Sequence, residues 1–112
     1  MGPGQMDRRV SFDRATRVAD DYGGETTTWE PLLGPVWAEF RYERGREAEQ
    51  AGALTGSAMF KVRIGASPAA RTIDATCRMR DERLGTAFNI REVDVVTDRA
   101  SVWLMVEGGV AI

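Results

Sequence analysis

The feature that most restricts the fold of this chain is an alternation of apolar and polar residues, which recurs in several short segments. In residues 58–64, Ala58, Phe60, Val62 and Ile64 form one row, and Met59, Lys61 and Arg63 form the other. Successive side chains of a β-strand point to opposite faces, so this period of two predicts a strand with one face in a core. The other face lies in solvent or at an interface.

The same alternation predicts further strands. The expected inward rows are Val10 and Phe12, then Val36, Ala38, Phe40 and Tyr42, and then Ile73, Ala75, Cys77 and Met79. Residues 88–95 begin with Phe88 and Ile90 in one phase and continue with Val93 and Val95 in the other. Such a phase slip predicts a β-bulge or bend.

Turn signals separate these segments and define the fold class. They lie at Tyr22-Gly23-Gly24, Gly34-Pro35, Gly65 to Pro68, Asp81 to Gly85 and Asp98-Arg99. Six or seven short strands at this spacing predict a mainly β, antiparallel domain, either a small barrel or a sandwich. We assign residues 6–112 to that single domain and residues 1–5 to a flexible N-terminal arm or tag remnant. Residues 101–106 are apolar on nearly both faces, which indicates a central strand or a subunit contact.

Residues 43–57 interrupt the pattern, because they show no period of two. Residues 46–51 are compatible with a short helix, which Gly45 and Gly52 would limit in length. A connection of this size between two strands is usually functional or disordered. We therefore expect a long loop or short helix between early strands.

Composition excludes most catalytic chemistry. The chain has no histidine and one cysteine, Cys77, so the usual zinc sites and the commonest general base are missing. Cys77 falls in an apolar row, where a small buried side chain is expected. The acidic pairs Asp20/Asp21 and Asp81/Glu82 lie in turns, where carboxylates commonly shape the backbone. We expect no enzyme activity, no cofactor and no metal, and by elimination a binding or structural protein.

Charge and hydropathy restrict the partners. The formal net charge is −2, so neutralisation of nucleic-acid phosphates is not favoured. No apolar run approaches the roughly 20 residues of a membrane span, so we expect no membrane. With one cysteine there is no intrachain disulfide, which favours a cytoplasmic or virion-interior setting over secretion.

The order of these features resembles the head–tail connector proteins of tailed bacteriophages, which are also called head–tail adaptor, stopper or head-completion proteins. The resemblance covers about residues 6–106. It rests on RRVSFDR, DDYGGETTTW, VWAEF, GRE at 45–47, FKVRI, FNI at 88–90 and a final hydrophobic strand. Similar parts occur in gene transfer agents.

The resemblance implies a small β-barrel protomer in a homo-oligomeric ring, with six-fold symmetry preferred and twelve-fold second. The ring would assemble in the bacterial host cytoplasm and lie in the neck of the particle, beneath the portal or adaptor ring. It would retain the packaged genome, with DNA only as channel content, and offer a surface to the tail terminator or tail tube.

The resemblance places one candidate site in this sequence, and the residue pattern places two more. A loop at the position of residues 43–57 would project into the channel, with candidate residues Glu43, Arg44, Gly45, Arg46, Glu47 and Glu49. The early hairpin, at Asp21, Tyr22, Gly23 and Gly24, is either an ordinary tight turn or a docking finger that reaches a neighbouring subunit or the adaptor ring. Trp37, Trp103 and Met105 lie opposite apolar rows, so they are candidate subunit contacts or, alternatively, part of a second small core on the other side of the barrel.

Two alternatives belong to other classes. One is another phage ring component, such as a tail terminator. The other is a small-barrel nucleic-acid-binding protein, which requires a basic groove with exposed stacking aromatics. Arg41, Arg44 and Arg46 cluster, but the interleaved glutamates at 39, 43, 47 and 49 favour a solvated, self-paired charge run.

Overall fold

The chain closes into a six-stranded antiparallel β-barrel in a computed structural model, which describes residue 6, residues 8–45 and residues 58–108. The strands are β1 (Arg8–Ala19), β2 (Glu25–Gly45), β3 (Ala58–Gly65), β4 (Cys77–Asp81), β5 (Ala87–Asp94) and β6 (Ser101–Gly108). Their order around the barrel is β1-β2-β3-β6-β5-β4, and β4 pairs back with β1. The mainly β prediction is confirmed, and the closed sheet selects the barrel over the sandwich.

Inward rows from all six strands fill the barrel, as the alternation predicts. Val10, Phe12, Val62 and Ile64 are fully buried, and Ala38 is buried beside them. At one end, the rings of Phe40, Phe60 and Phe88 meet edge to face, with centroids 5.8–6.0 Å apart. Edge-to-face packing is the arrangement that aromatic quadrupoles favour.

The predicted phase slip in β5 is a bulge. Ile90 pairs with Val106, whereas Glu92 pairs with the adjacent Met105, so Arg91 is the extra residue. The bulge returns Val93 to the inward row opposite Leu104. An extra residue in one strand bends it and increases its twist, which helps a short sheet to close.

The strand predicted over residues 73–80 is wrong in its first half. A 3-10 turn at Ala70–Thr72 precedes β4, and β4 begins only at Cys77. The Asp74 carboxylate accepts hydrogen bonds from the Thr76 backbone N–H and hydroxyl, at 2.9 and 2.5 Å. This side chain-to-backbone turn competes with the ladder, so Ala75 is exposed rather than inward.

The turn predicted at Gly34-Pro35 is also wrong, because both residues lie inside β2. Val10 pairs with Val36 and Phe12 with Leu33, so β2 carries an extra residue opposite Ser11. Gly34 has φ +122°, and a Cβ there would lie 2.7 Å from Ser11 Cα. The glycine serves a bulge within one long strand, not a reversal of the chain.

The connection predicted over residues 43–57 begins later in the chain than expected. β2 continues to Gly45, with Arg44 opposite Met59 and Gly45 opposite Ala58. Glu43, Arg44 and Gly45 therefore belong to a strand and not to a loop. The short helix predicted over residues 46–51 and the arm predicted over residues 1–5 lie outside the described residues.

Candidate assembly surfaces

A two-stranded arm extends from the barrel at the first hairpin. β1 pairs with β4 only as far as Arg14, whereas its pairing with β2 continues to Ala19 opposite Glu25. We define the arm as residues 15–29. The side chains from Arg17 to Thr28 are exposed. A two-stranded ribbon is marginal when alone, so its geometry depends on its two ends.

Asp20 organises the tip of the arm. Its Oδ1 atom accepts hydrogen bonds from the backbone N–H groups of Tyr22 and Gly24, both at 2.8 Å. The Asp20 N–H donates to the Gly24 carbonyl at 2.9 Å, and Gly23 adopts φ +84°. The tip is therefore a well-defined turn that presents Tyr22, whose side chain is 95% exposed.

The residues predicted for the docking finger all lie at this tip, but sequence analysis did not assign Asp20 its organising role. Asp21 is exposed beside Tyr22, and Gly23 and Gly24 complete the turn. The available signal was an Asp that precedes a Gly-Gly pair, because such a carboxylate readily accepts from backbone N–H groups two to four residues later.

The root of the arm is an ion-paired cluster on the outside of the barrel. Asp13, buried at 3% exposure, accepts from Arg78 Nε at 2.9 Å and from Arg80 Nε at 2.6 Å. Burial raises the pKa of Asp13, but the hydrogen bonds from Arg80 and Arg78 outweigh it and hold this pKa below its usual value. The Arg78 guanidinium also lies 4.5 Å from the centre of the Trp29 ring. The cluster thus joins β4 to both strands where the arm begins.

A second surface surrounds Trp103, on the outer face of β2, β3, β5 and β6. Glu39 pairs with Arg63, Arg63 with Trp103, and Trp103 with Asp94 in successive ladders. The next row contains Arg41, Lys61, Met105 and Glu92. The predicted contact residues Trp103 and Met105 therefore lie side by side, both half-buried.

Cations cover the Trp103 ring. Lys61, Arg41 and Arg63 lie 5.1, 5.5 and 5.8 Å from the ring centre. Both arginines donate to Glu39, each at 2.9 Å. The hydrogen bonds from Arg63 and then Arg41 hold the pKa of Glu39 below its usual value.

An open groove of about 420 Å³ adjoins Trp103 and Met105 and is bounded by Lys61, Glu92 and Asp94 among others.

A third surface, the Trp37 groove, opens between β1, β2 and the β4–β5 turn. It measures about 590 Å³ and is lined by Arg8, Arg9, Trp37, Asp81, Glu82, Arg83 and Leu84. Trp37 is 53% exposed and Leu84 66% exposed. The predicted contact residue Trp37 therefore lies in a different groove from Trp103 and Met105.

The β4–β5 turn gives this groove a fixed wall. Asp81 accepts from the backbone N–H groups of Arg83 and Leu84 at 2.9 and 3.0 Å, and from Arg8 at 2.6 Å. Burial raises the pKa of Asp81, but these hydrogen bonds outweigh it, so its pKa is lowered. Sequence analysis missed Leu84; the available signal was a large apolar residue in a turn where polar residues predominate.

These surfaces present aromatic side chains together with cationic ones, a combination typical of protein contacts. Within residues 8–45 and 58–108, no three His, Cys, Asp or Glu side chains are grouped to hold a metal. Cys77 is buried. The same part of the chain contains no helix with the length and hydropathy that a membrane-spanning helix requires.

The candidate channel residues are only partly described. Glu43, Arg44 and Gly45 end β2, and Arg46, Glu47 and Glu49 lie outside the described residues.

Comparison with known proteins agrees with a structural role. The family model described as phage head completion protein matches residues 1–107. A chain in a structure described as the virion of a native gene transfer agent particle is 30% identical, with a TM-score of 0.67. That match covers 91% of this chain and 93% of the other. No curated protein matches the chain.

A second solved structure has the same fold. It is the protein SF1141 from Shigella flexneri 2a, solved in solution, with 21% identity and a TM-score of 0.67. The match covers 97% of both chains. At this identity the similarity extends to the barrel architecture alone.

Proposed function

The chain belongs to the phage head completion protein family, and on that premise we propose that it forms part of the neck that joins head to tail. Members of this family are structural proteins of the virion and not enzymes, and the chain is such a protein. The proposed particle is a phage or a gene transfer agent. The ring that it forms would bind beneath the portal or adaptor ring, retain the packaged DNA and provide the surface to which the tail attaches.

The observation that carries this proposal is the agreement of two matches over nearly the whole chain. The family match spans residues 1–107, and the 30% identical relative is a chain within an assembled virion. The geometry supports the same role, because a rigid barrel presents an exposed arm and two outer grooves. Exposed surfaces with aromatic and arginine side chains are typical of protein contacts.

The proposal assigns the candidate surfaces either to contacts with other proteins or to the wall of the channel. The arm tip and the two grooves contact neighbouring subunits or the adaptor and tail rings. The end of the barrel at which β2 stops and β3 starts faces the channel, together with the segment that connects them. A net charge of −2 suits a channel wall, because acidic side chains repel DNA phosphates rather than bind them.

The experiment is a deletion of the gene in the host that produces the particle, followed by addition of the purified chain to the isolated heads. We expect heads without tails and nuclease-sensitive DNA, and we expect the purified chain to restore both tail joining and protection. An unrelated protein of similar size is the control. Deletion particles with normal tails and protected DNA would contradict the proposal.

The nucleic-acid-binding alternative is less well supported by the geometry. Arg41 and Arg63 share the buried Glu39 carboxylate, so their charge is partly neutralised on the protein itself. Filter binding of single- and double-stranded DNA at low salt separates the two functions. We expect little retention by the isolated chain, and tight binding that weakens steeply with salt would support the alternative.

A further inference from the structure

The Trp37 groove combines exposed apolar surface with uncompensated positive charge. Its acids are occupied: Asp81 pairs with Arg8, while Glu82 accepts from the Ser11 hydroxyl and lies 3.5 Å from Arg80. The remaining cations are Arg9 and Arg83, and neither forms an ion pair within the described residues. Arg9 lies over the Trp37 ring at 5.3 Å.

The groove therefore fits a partner with two kinds of side chain. A carboxylate would pair with Arg9 or Arg83, and an apolar or aromatic side chain would pack on the exposed apolar surface.

The arm tip carries that complement. Tyr22 is almost fully exposed, and Asp21 beside it is exposed and forms no ion pair within the described part of the chain. The Asp20 hydrogen bonds hold both residues on a fixed turn. Tyrosine on a rigid turn supplies contact area at a low cost in conformational entropy.

The tip cannot reach the groove of its own protomer. Arg9 lies near the start of β1 and Ala19 at its end, so the two sites are separated by ten residues of one strand, or about 33 Å. Beyond Arg14, β1 pairs with β2 and no longer with β4, and the side chains from Arg17 to Thr28 are exposed, so the arm does not pack back onto the barrel. Donor and acceptor surfaces that differ and lie apart produce head-to-tail contacts, which generate a ring when the rotation between copies closes.

We propose that the arm tip of one copy binds in the Trp37 groove of a neighbouring copy, and that this contact builds the ring. Tyr22 packs between Trp37 and Leu84, and Asp21 pairs with Arg9 or Arg83. The inference rests on the proposed neck function and adds the partner of the arm to it. A contact of this small size is weak by itself, so a docking platform that aligns the copies is needed to populate the ring.

Cysteine cross-linking in assembled particles tests the contact. The double variant Tyr22→Cys/Leu84→Cys is expressed in place of the wild-type chain, and the particles are oxidised and separated on a non-reducing gel. Because the two cysteines cannot meet within a protomer, any disulfide between them joins two copies. We expect a ladder of oligomers that ends at the subunit number of the ring.

The matched control is Tyr22→Cys/Val96→Cys, since Val96 is 83% exposed and lies outside the groove. No ladder is expected from this variant. The native Cys77 is buried and does not compete. An equal ladder from both variants would overturn the inference, because it would reflect random collision.

The same gel distinguishes a failure of the arm contact from a failure of the proposed neck function. If the chain is present in tailed particles and the first variant gives no ladder, the neck function stands and the arm contact is wrong. If the wild-type chain itself is absent from the particles, the neck function and the arm contact both fail.

A charge exchange provides a second test that needs no cysteine. Asp21→Arg and Arg83→Asp should each lower the amount of the chain in particles, because each places like charges at the contact. The double variant should restore incorporation towards the wild-type level. Additive losses in the double variant would overturn the pairing of Asp21 with Arg83, and the corresponding exchange with Arg9→Asp then decides whether the contact itself stands.

Discussion

The Asp13 carboxylate accepts a 2.6 Å hydrogen bond from Arg80 Nε, and this pair closes the barrel at the place where the arm leaves it. Asp13 lies on β1 and Arg80 on β4, which are the strands whose pairing completes the sheet. Arg78 binds the same carboxylate and covers Trp29. The direction of the arm is therefore set by side chains at its root as well as by the backbone ladder.

Replacement of this carboxylate should destabilise the protein. Asp13→Asn removes the charge that Arg78 and Arg80 share, and we expect the free energy of unfolding to fall by about 2 kcal/mol. Urea denaturation monitored by tryptophan fluorescence measures the change. Asp21→Asn is the matched control, because Asp21 is exposed, and its effect should stay within about 0.5 kcal/mol. Equal effects of the two variants would remove the structural role given to the cluster.

Stability should decrease in acid. The pKa values of Asp13, Asp81 and Glu39 are lowered in the folded protein, so the unfolded chain binds more protons as the pH falls. Their contribution is complete above the unfolded pKa values, about 4, and is lost as the pH falls through the lower folded values. Denaturation midpoints between pH 7 and pH 2 should show this loss, and Asp13→Asn should show a smaller one. A midpoint independent of pH below 4 would contradict the assignment.

The bulge in β2 should not tolerate a side chain at Gly34. In Gly34→Ala, a Cβ would clash with Ser11 and the positive φ would be strained, so we expect a loss of about 3 kcal/mol. Gly85→Ala is the control: its φ is +75°, but no atom lies within 4 Å of the added Cβ. That variant should lose only about 1 kcal/mol. Thermal melts of both proteins give the comparison, and similar losses would mean that the close approach at Ser11 is unimportant.

Trp37 should matter for assembly more than for folding. Because Trp37 is 53% exposed, Trp37→Ala should change the free energy of unfolding by less than about 1 kcal/mol. The amount of the chain in tailed particles should nevertheless fall clearly, as measured by immunoblot. Val96→Ala, which also truncates an exposed apolar side chain, should leave incorporation unchanged. Normal incorporation of the Trp37 variant would exclude this residue from the contacts.

The segment between β2 and β3 can be shortened to test its role in the channel. Gly45 and Ala58 are opposite each other in the ladder, so a short Gly-Ser link in place of residues 46–57 can join them without distorting the barrel. We expect an unchanged β-type circular dichroism spectrum, normal incorporation into particles and a loss of nuclease-protected DNA. Full protection in particles that contain the shortened chain would exclude a role in DNA retention.

The sequence by itself determined the features that depend on neighbours along the chain. Alternation identified the inward residues of the barrel, such as Val62 and Ile64, because a strand exposes opposite faces at successive positions. The Tyr22-Gly23-Gly24 turn and the bulge near Glu92 follow from equally local signals. Local signals failed where two structures compete: Asp74 forms a turn within an apparent strand, and Gly34 permits a bulge where a reversal was expected.

Only the tertiary structure decided which strands pair, and with them every surface that spans the barrel. Asp13 and Arg80 are 67 residues apart, and Glu39 and Arg63 are 24 apart. Leu84 joins Trp37 in one groove only because β4 returns to β1. A period of two specifies which way a side chain points but not the register or the neighbour of its strand. Those depend on closing the sheet, where burial, ion pairing and hydrogen bonding must be satisfied together.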